Sequence, residues 1–204
     1  MTDAEETVSS SLTQARESPR TKKETFGSFL LYVIIAIALA LGIRFYIAQP
    51  YLVSGSSMEP TFDDMQYLII DRIIYTIQEP VRGDVVVFKY PPQPTRSLIK
   101  RVIGLPGDTV KIKRGAVTIV NSEHPDGFVL DEPYLAAENR VTGDQLEVSL
   151  GEDEYFVLGD NRRVSSDSRM WGSLPREDIS GRVDLRLYPF DKVALLPGEA
   201  RYTE

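Results

Sequence analysis

The stretch GDVVVFKYPPQPTRSLIKRVIGLPGDTVKIK, residues 83–113, decides the fold class of this chain. It contains three short runs rich in Val, Ile and Phe, separated by the turn-forming residues Pro, Gly and Asp. Runs of this length and composition are typical of β-strands. The same pattern recurs in YLVS (51–54), QYLIID (66–71), AVTIV (116–120), EYFVLGD (154–160) and GRVDLRLY (181–188). We therefore predict a mainly antiparallel β domain over residues 48–204, with helical turns only around residues 72–77 and 175–178.

The region from about 113 to 150 differs from the rest of this domain. It is more polar and is interrupted by Gly and Pro at Gly115, Pro125 and Gly143, among other positions. Such residues favour turns and loops over long strands. We predict that residues 113–150 form a small β-rich subdomain inserted between two better-defined halves.

The amino-terminal segment predicts a membrane anchor. Residues 1–25 are polar and indicate a disordered tail. Residues 26–47 are apolar apart from Arg44, and a helix of about 22 residues rises about 33 Å, enough to cross a bilayer. A cleaved signal peptide or a buried core helix is the alternative. The run is longer than a signal-peptide core and apolar on every face, which favours an uncleaved anchor.

Basic residues set the predicted orientation. Arg20, Lys22 and Lys23 precede the apolar run, and beyond Arg44 the next basic residue is Arg72. The excess of positive charge stays in the cytoplasm. We therefore expect a single-pass protein of the plasma (inner) membrane, with a cytoplasmic amino terminus and an extracytoplasmic β domain.

The composition excludes several function classes. The net charge of −7 argues against a nucleic-acid partner, which needs a basic surface. The chain has no cysteine and one histidine, His124, so disulfides, thiol nucleophiles and multi-histidine metal sites are unavailable. The acidic residues are scattered along the chain. We expect neither a metal nor another cofactor.

Three polar segments are candidates for chemistry: VSGSSMEPTF (53–62), SLIKRVIGLPGD (97–108) and GDNRRVSSDSRMWG (159–172). Each has an ordinary interpretation by itself, namely a turn serine, a strand lysine whose head reaches water, and an Asx-type loop. The third segment also concentrates short polar and charged side chains within about ten positions. Such a cluster can orient an amine by hydrogen bonding and brace it with an ion pair.

Lys100 is the candidate base. In a strand, Lys100 shares a face with Leu98 and Val102, which are both apolar. Desolvation on such a face lowers the pKa of a lysine, and a neutral lysine can take the proton of a serine hydroxyl. A serine and a lysine can therefore form a catalytic dyad without histidine.

Taken together and in this order, the segments resemble the type I signal peptidase family, the membrane-bound serine proteases that remove signal peptides from exported proteins. The matching elements are the apolar amino-terminal segment, SGSSMEPTF, GDVVVF, KRVIGLPGD, GDNRRVSSDSR and the closing GRVDLRLYPF. The resemblance runs from Phe26 to Phe190, and only residues 113–150 within it lack specific motifs. It implies an antiparallel β catalytic domain of signal-peptidase type on a single transmembrane helix.

The resemblance assigns roles by position. It makes Ser57, directly before Met58, the nucleophile and Lys100 the general base. The supporting residues lie in the third segment: Ser165, which would hydrogen-bond the amine, the structural pair Asp167 and Arg169, and Asp160 of GDNR. Arg101 matches a second basic residue that is usually structural. The oxyanion hole would use the backbone N–H of Ser57, beside Gly55.

This chain departs from the family's usual sequence at three positions. Many members carry a serine where this chain has Gly55, and that hydroxyl helps to form the oxyanion hole; other members also carry glycine there. The family often reads GDNRDNS, whereas this chain has Arg163 and Val164 in place of Asp–Asn. Because neither replaced position is a catalytic one, these differences concern the local conformation of the loop.

The implied reaction is hydrolysis of one peptide bond through an acyl-enzyme, after substrate residues with small side chains. The expected partners are preprotein signal peptides and membrane lipid, and no oligomer is required. An extended substrate would lie beside the strands, with alternate side chains entering pockets. The residues expected to shape those pockets are Tyr51, Val53, Met58, Leu98 and Ile99.

Two alternatives remain open at this stage. One is a related Ser–Lys processing peptidase with a narrower range of substrates. The other is a membrane-tethered β domain that binds a partner without cleaving it. Loss of Ser57 or Lys100 would leave the function of such a binding domain intact, which distinguishes the two classes.

Overall fold

The structure is a computed structural model that describes residues 22–42 and 48–202. The described residues divide between Leu41 and Gly42 into two compact units. Helix α1, Lys22–Gly42, belongs to the first unit, and nearly all its side chains from residue 27 onward are exposed. Within the described residues, no helix combines the length and apolar character that crossing a membrane requires. Most of the predicted tail 1–25 and the last five residues of the predicted anchor 26–47 lie outside the described residues.

Two antiparallel sheets build the second unit. The described residues contain the strands β1 (Ala48–Leu52), β2 (Tyr67–Asp71), β3 (Val85–Tyr90), β4 (Gln93–Gly104), β5 (Thr109–Lys113), β6 (Ala116–Val120), β7 (Phe128–Val129), β8 (Gln145–Ser149), β9 (Glu154–Leu158), β10 (Leu174–Pro175), β11 (Ile179–Tyr188) and β12 (Ala194–Leu195). The larger sheet has eight strands in the order β1-β2-β11-β3-β4-β9-β10, with β12 paired to β11. The smaller sheet has the order β7-β6-β5-β8. The predicted mainly antiparallel β fold is confirmed.

Short helices connect the strands. The helical turns predicted around residues 72–77 and 175–178 are present as α2, Ile74–Ile77, and as a 3-10 turn over Arg176–Asp178. The expectation of only two such turns is wrong. A further helix, α3, covers Ser168–Trp171, and 3-10 turns cover Ala137–Asn139 and Phe190–Lys192. The turn Asp167–Trp171 forms because the Asp167 side chain accepts a hydrogen bond from the backbone N–H of Arg169, as an N-cap does.

Three apolar clusters form the core, and alternation along β4 distributes its side chains between them. Leu98 and Val102 pack in one cluster with Val86 and Phe88. Ile99 points the other way, into a cluster with Val53, Met58 and Phe62 among others. Ile103 and the strands of the smaller sheet form the third cluster. Successive side chains of a strand face opposite sides, so one strand contributes to separate clusters.

Strand β4 lies inside the larger sheet, between β3 and β9. Val86 pairs with Lys100, and Arg101 pairs with Leu158. These two ladders fix the backbone of residues 100–102 on both sides, because each strand supplies the hydrogen-bond partners of the next. The chain therefore holds Lys100 on a rigid element rather than on a loop.

Candidate active site

A tight turn after β1 presents Ser57. Gly55 has φ +94°, in a region that favours glycine. Met58 and Phe62 are 1% and 0% exposed and hold the turn on the core cluster they share with Ile99. The backbone N–H of Asn161 donates to the Ser57 carbonyl at 3.0 Å, which ties the turn to the loop after β9. The turn is thus fixed on both sides while the Ser57 side chain stays half-buried.

The side chain of Lys100, on strand β4, contacts Ser57 in the turn after β1. Its Nζ donates to Ser57 Oγ at 2.7 Å and to the carbonyl of Ile99 at 2.7 Å. The lysine is 2% exposed. Burial lowers the pKa of Lys100 to about 8; nearby Asp167 and Asp160 oppose this shift, and Arg96 adds to it. Desolvation is the largest effect because a charged amine loses water that two carboxylates only partly replace.

The buried carboxylates beside the lysine have other partners. Arg101, which is 0% exposed, donates from Nε and Nη2 to the two oxygens of Asp160 at 2.9 and 2.6 Å. Asp167 accepts from Arg169 Nε at 2.8 Å and from the Gly159 N–H at 3.0 Å. Each negative charge is therefore matched by an arginine, so neither carboxylate depends on a protonated Lys100 for its compensation.

Ser165 lies near these groups without the predicted hydrogen bond to Lys100. Its hydroxyl is buried and has no hydrogen-bond partner among the described residues, because Lys100 Nζ donates to Ser57 and Ile99 instead. Gly159 makes room for Ser165: a Cβ at Gly159 would lie 2.1 Å from Ser165 Oγ and 2.5 Å from the Ser57 carbonyl oxygen. No side chain fits at that position without moving the turn that carries Ser57.

Of two backbone N–H groups near Ser57, one is already hydrogen-bonded and the other is free within the described residues. The Gly55 N–H donates to Asp64 Oδ1 at 2.8 Å. Gly55 therefore offers neither a hydroxyl nor a free N–H to the predicted oxyanion hole beside it. The Ser57 N–H has no hydrogen-bond partner within residues 22–42 and 48–202, so it is available to an incoming oxygen.

Comparison with known proteins shows the family of this chain. The family model described as signal peptidase, peptidase S26, matches residues 26–188. The chain belongs to the signal peptidase family. It is thus a peptidase, and the resemblance read from the three segments is confirmed.

Relatives from several bacteria match this member of the signal peptidase family over most of its length. A probable signal peptidase I-2 from Synechocystis is 40% identical, covering 82% of this chain and 76% of the relative. A signal peptidase I from Bacillus licheniformis is 36% identical, covering 87% and 96%. A crystal structure of a signal peptidase I from Enterococcus faecalis is 31% identical, with a TM-score of 0.45, and covers 52% of this chain and 98% of that chain.

Ser57 and Lys100 lie in a cleft of about 400 Å³. Of the predicted substrate-binding residues, Tyr51, Leu98 and Ile99 line this cleft. Val53 and Met58 do not, because each is 1% exposed and belongs to the core. They pack in the core cluster that contains Ile99, a residue of the cleft wall. The lining residues to which the sequence assigned no role are Ser54, Ser56, Arg96, Ser97, Val164 and Ser166. Arg96 could have been found from its place two residues before Leu98, on the same strand face.

The region predicted as an insertion, residues 113–150, contacts residues that support the dyad. Glu132 forms a buried ion pair with Arg162, whose Nε donates to the Gly159 carbonyl at 3.2 Å. The Arg101 guanidinium lies 3.8 Å from the centre of the Tyr134 ring, within cation–π range. Glu132 and Tyr134 carry no motif, so only the tertiary structure links this segment of the peptidase to the dyad.

Proposed function

We propose that this chain is a signal peptidase I that cleaves the amino-terminal signal peptides of exported preproteins by a Ser57–Lys100 dyad. The observation that carries the proposal is the 2.7 Å contact between Lys100 Nζ and Ser57 Oγ, made by a buried lysine whose pKa is lowered to about 8. The names of the relatives support the same activity. A nucleophile and a base within hydrogen-bond reach are the minimum that covalent hydrolysis requires.

The chemistry follows from this contact. When Lys100 is neutral, the Ser57 hydroxyl donates to Nζ, and the proton moves to the amine as Oγ attacks the carbonyl carbon before the cut. The free Ser57 N–H can donate to the oxyanion, an interaction worth a few kcal/mol in the transition state. The Lys100 ammonium then protonates the leaving amine of the mature protein. Neutral Lys100 next takes a proton from water, which hydrolyses the ester and restores Ser57.

The supporting residues act through the dyad rather than on the substrate. Asp160 and Asp167 are both 0% exposed and hold Arg101 and Arg169 beside Lys100. Their negative charge limits how far burial lowers the lysine pKa. Ser165, with an unpartnered hydroxyl next to Gly159, can accept a hydrogen bond from the amine once Lys100 releases Ser57 during the reaction.

The shape of the cleft supports a substrate with small side chains. Tyr51 donates to the Ser97 carbonyl at 3.2 Å, and this contact fixes the Tyr51 ring in the wall of the cleft, at the strand that would lie beside the substrate. Ile99, 5% exposed, leaves little of its side chain for contact. A groove bounded by fixed aromatic and aliphatic side chains can accept alanine and reject larger residues by steric conflict.

A cleavage assay tests this function. The purified full-length protein in detergent, incubated with a preprotein, is expected to yield one new amino terminus directly after a small residue, read by mass spectrometry. A panel of unrelated preproteins separates a general signal peptidase from a narrower processing peptidase, which would cleave one of them. If the protein binds preproteins and leaves them intact, it is a binding domain, and the proposed activity is wrong.

We propose further that residues 26–47 anchor the peptidase in the plasma membrane, with the amino terminus in the cytoplasm. The apolar run and the preceding basic residues Arg20, Lys22 and Lys23 support this topology. Protease added to spheroplasts is expected to digest residues 48–204 and to spare the tail. Protection of the β domain together with digestion of an epitope on residues 1–25 would reverse the orientation.

A further inference from the structure

A second cavity, of about 590 Å³, lies beside the active-site cleft. Its walls come from residues 141–144, from the loop 162–165 after β9, and from Arg169 and Met170 of α3. The volume falls within the range of ordinary ligand sites, about 300–1,000 Å³. Ser165 and Arg169 support the dyad from this side, but the proposed hydrolysis puts no substrate group in this cavity.

The loop after β9 separates the two cavities. Arg163 and Ser165 line the second cavity, whereas Val164 and Ser166 line the cleft that holds Ser57 and Lys100. Residues 162–164 form a turn, closed by a hydrogen bond from the Val164 N–H to the Asn161 carbonyl at 3.2 Å. The loop is therefore a shared wall, one backbone thick, between the dyad and the second cavity.

An extended substrate must pass this wall. Since the chain before the cut would lie beside β4, against Tyr51, Ser97 and Leu98, the chain after the cut leaves the cleft on another side. Val164 and Ser166 form the other lateral boundary of the cleft. A chain that leaves the cleft on this side crosses the loop and meets the second cavity.

The charged residues around the second cavity differ in whether they have ion-pair partners. Arg162 is paired with Glu132, and Arg169 is paired with Asp167 and Asp144. Arg163 is exposed and forms no ion pair within residues 22–42 and 48–202. Asp144 is the acidic residue of the lining, and its carboxylate already accepts from Arg169 Nη1 at 2.7 Å. The guanidinium of Arg163 is thus an uncompensated positive charge in a chain of net charge −7.

From this geometry we infer that the second cavity is a subsite for acidic side chains in the first residues of the mature protein, with Arg163 as the residue that selects them. The inference rests on the proposed signal-peptide cleavage. An exposed guanidinium can form a bidentate pair with a carboxylate, and it repels a lysine at the same position. Arg163 is also one of the two positions at which the loop departs from the family's usual spelling.

Two preproteins that differ only at the second to fifth residues after the cut test the inference, one carrying Asp and the other Lys there. We expect the wild-type protein to cleave the acidic preprotein with the higher kcat/KM. Arg163→Gln is expected to reduce the acidic-to-basic ratio about threefold and Arg163→Glu roughly tenfold, as for exposed charge pairs. The preference should also weaken in 0.5 M salt, because screening is strong at that concentration.

Arg201→Glu is the matched control, since it makes the same charge change on a side chain that is 83% exposed and lines a different cavity. It is expected to leave the ratio unchanged. An Arg163→Glu protein that cleaves with the wild-type ratio overturns the inference and leaves the proposed function standing. A wild-type protein that cleaves neither preprotein overturns the proposed function itself.

Discussion

Ser57→Ala is expected to lower kcat/KM for preprotein cleavage by roughly 10⁴-fold or more, because removal of a nucleophile leaves only binding and oxyanion stabilisation. Ser57 Oγ is the hydroxyl that Lys100 contacts at 2.7 Å. The substitution removes one half-buried oxygen and leaves Met58 and Phe62 in the core. The fold should therefore persist, and the thermal midpoint should change by no more than a few degrees. Initial rates with a fluorogenic preprotein peptide and a thermal melt measure the two quantities.

Ser56→Ala is the control that tests which of the two adjacent serines is the nucleophile. Ser56 is exposed, and its backbone carbonyl, rather than its hydroxyl, accepts the hydrogen bond from Glu59 that shapes the turn. The alanine variant should keep substantial activity. If Ser56→Ala were inactive and Ser57→Ala active, the nucleophile would be one residue earlier than we propose.

Lys100→Arg is expected to be inactive, with a loss of at least about 10³-fold in kcat/KM, since a base and its nucleophile act as one unit. Arginine keeps the positive charge and cannot release its proton in a protein. Lys100→Met should be equally inactive, and it keeps a long flexible side chain in a site that is 2% exposed. Asp160 and Asp167 retain Arg101 and Arg169 as partners in both variants, so folding should be preserved. Appreciable cleavage by Lys100→Arg would show that position 100 supplies only charge, and the dyad would be rejected.

The pH dependence of the wild-type protein gives a second measure of Lys100. Because burial lowers the lysine pKa to about 8, the neutral amine increases as pH rises through 8. We expect kcat/KM to rise nearly tenfold per pH unit below pH 7 and to level off above pH 9, as for a single base.

His124 packs against Phe128, with 4.8 Å between the ring centres, and lines no part of the cleft. His124→Ala should reproduce the wild-type profile, whereas a histidine base would give a rise near pH 6.5.

A comparison of the strands predicted from the sequence with those in the structure shows which part of the fold was predictable. The strands rich in Val, Ile and Phe, such as the continuous apolar run of β3 and the alternating β5, were found with bounds close to those observed. Strand β8 was missed because QLEVS lies in a polar region and none of its side chains is fully buried. Strands β7, β10 and β12 have two residues each. A run of two residues has no period, so no sequence pattern can mark it.

The sequence by itself determined the antiparallel β class, the family, and the two residues proposed as nucleophile and base, because motif order and short-range periodicity are properties of the chain. Only the tertiary structure decided what surrounds them. It committed the Gly55 N–H to Asp64, put Val53 in the core, and connected Glu132 to Arg162 behind the site. The contact between Ser57 and Lys100 joins residues 43 positions apart. Periodicity reports only which face a side chain takes on its own strand. Which donors and acceptors meet across strands depends on how sheets and loops pack, and that packing is set by the whole core at once.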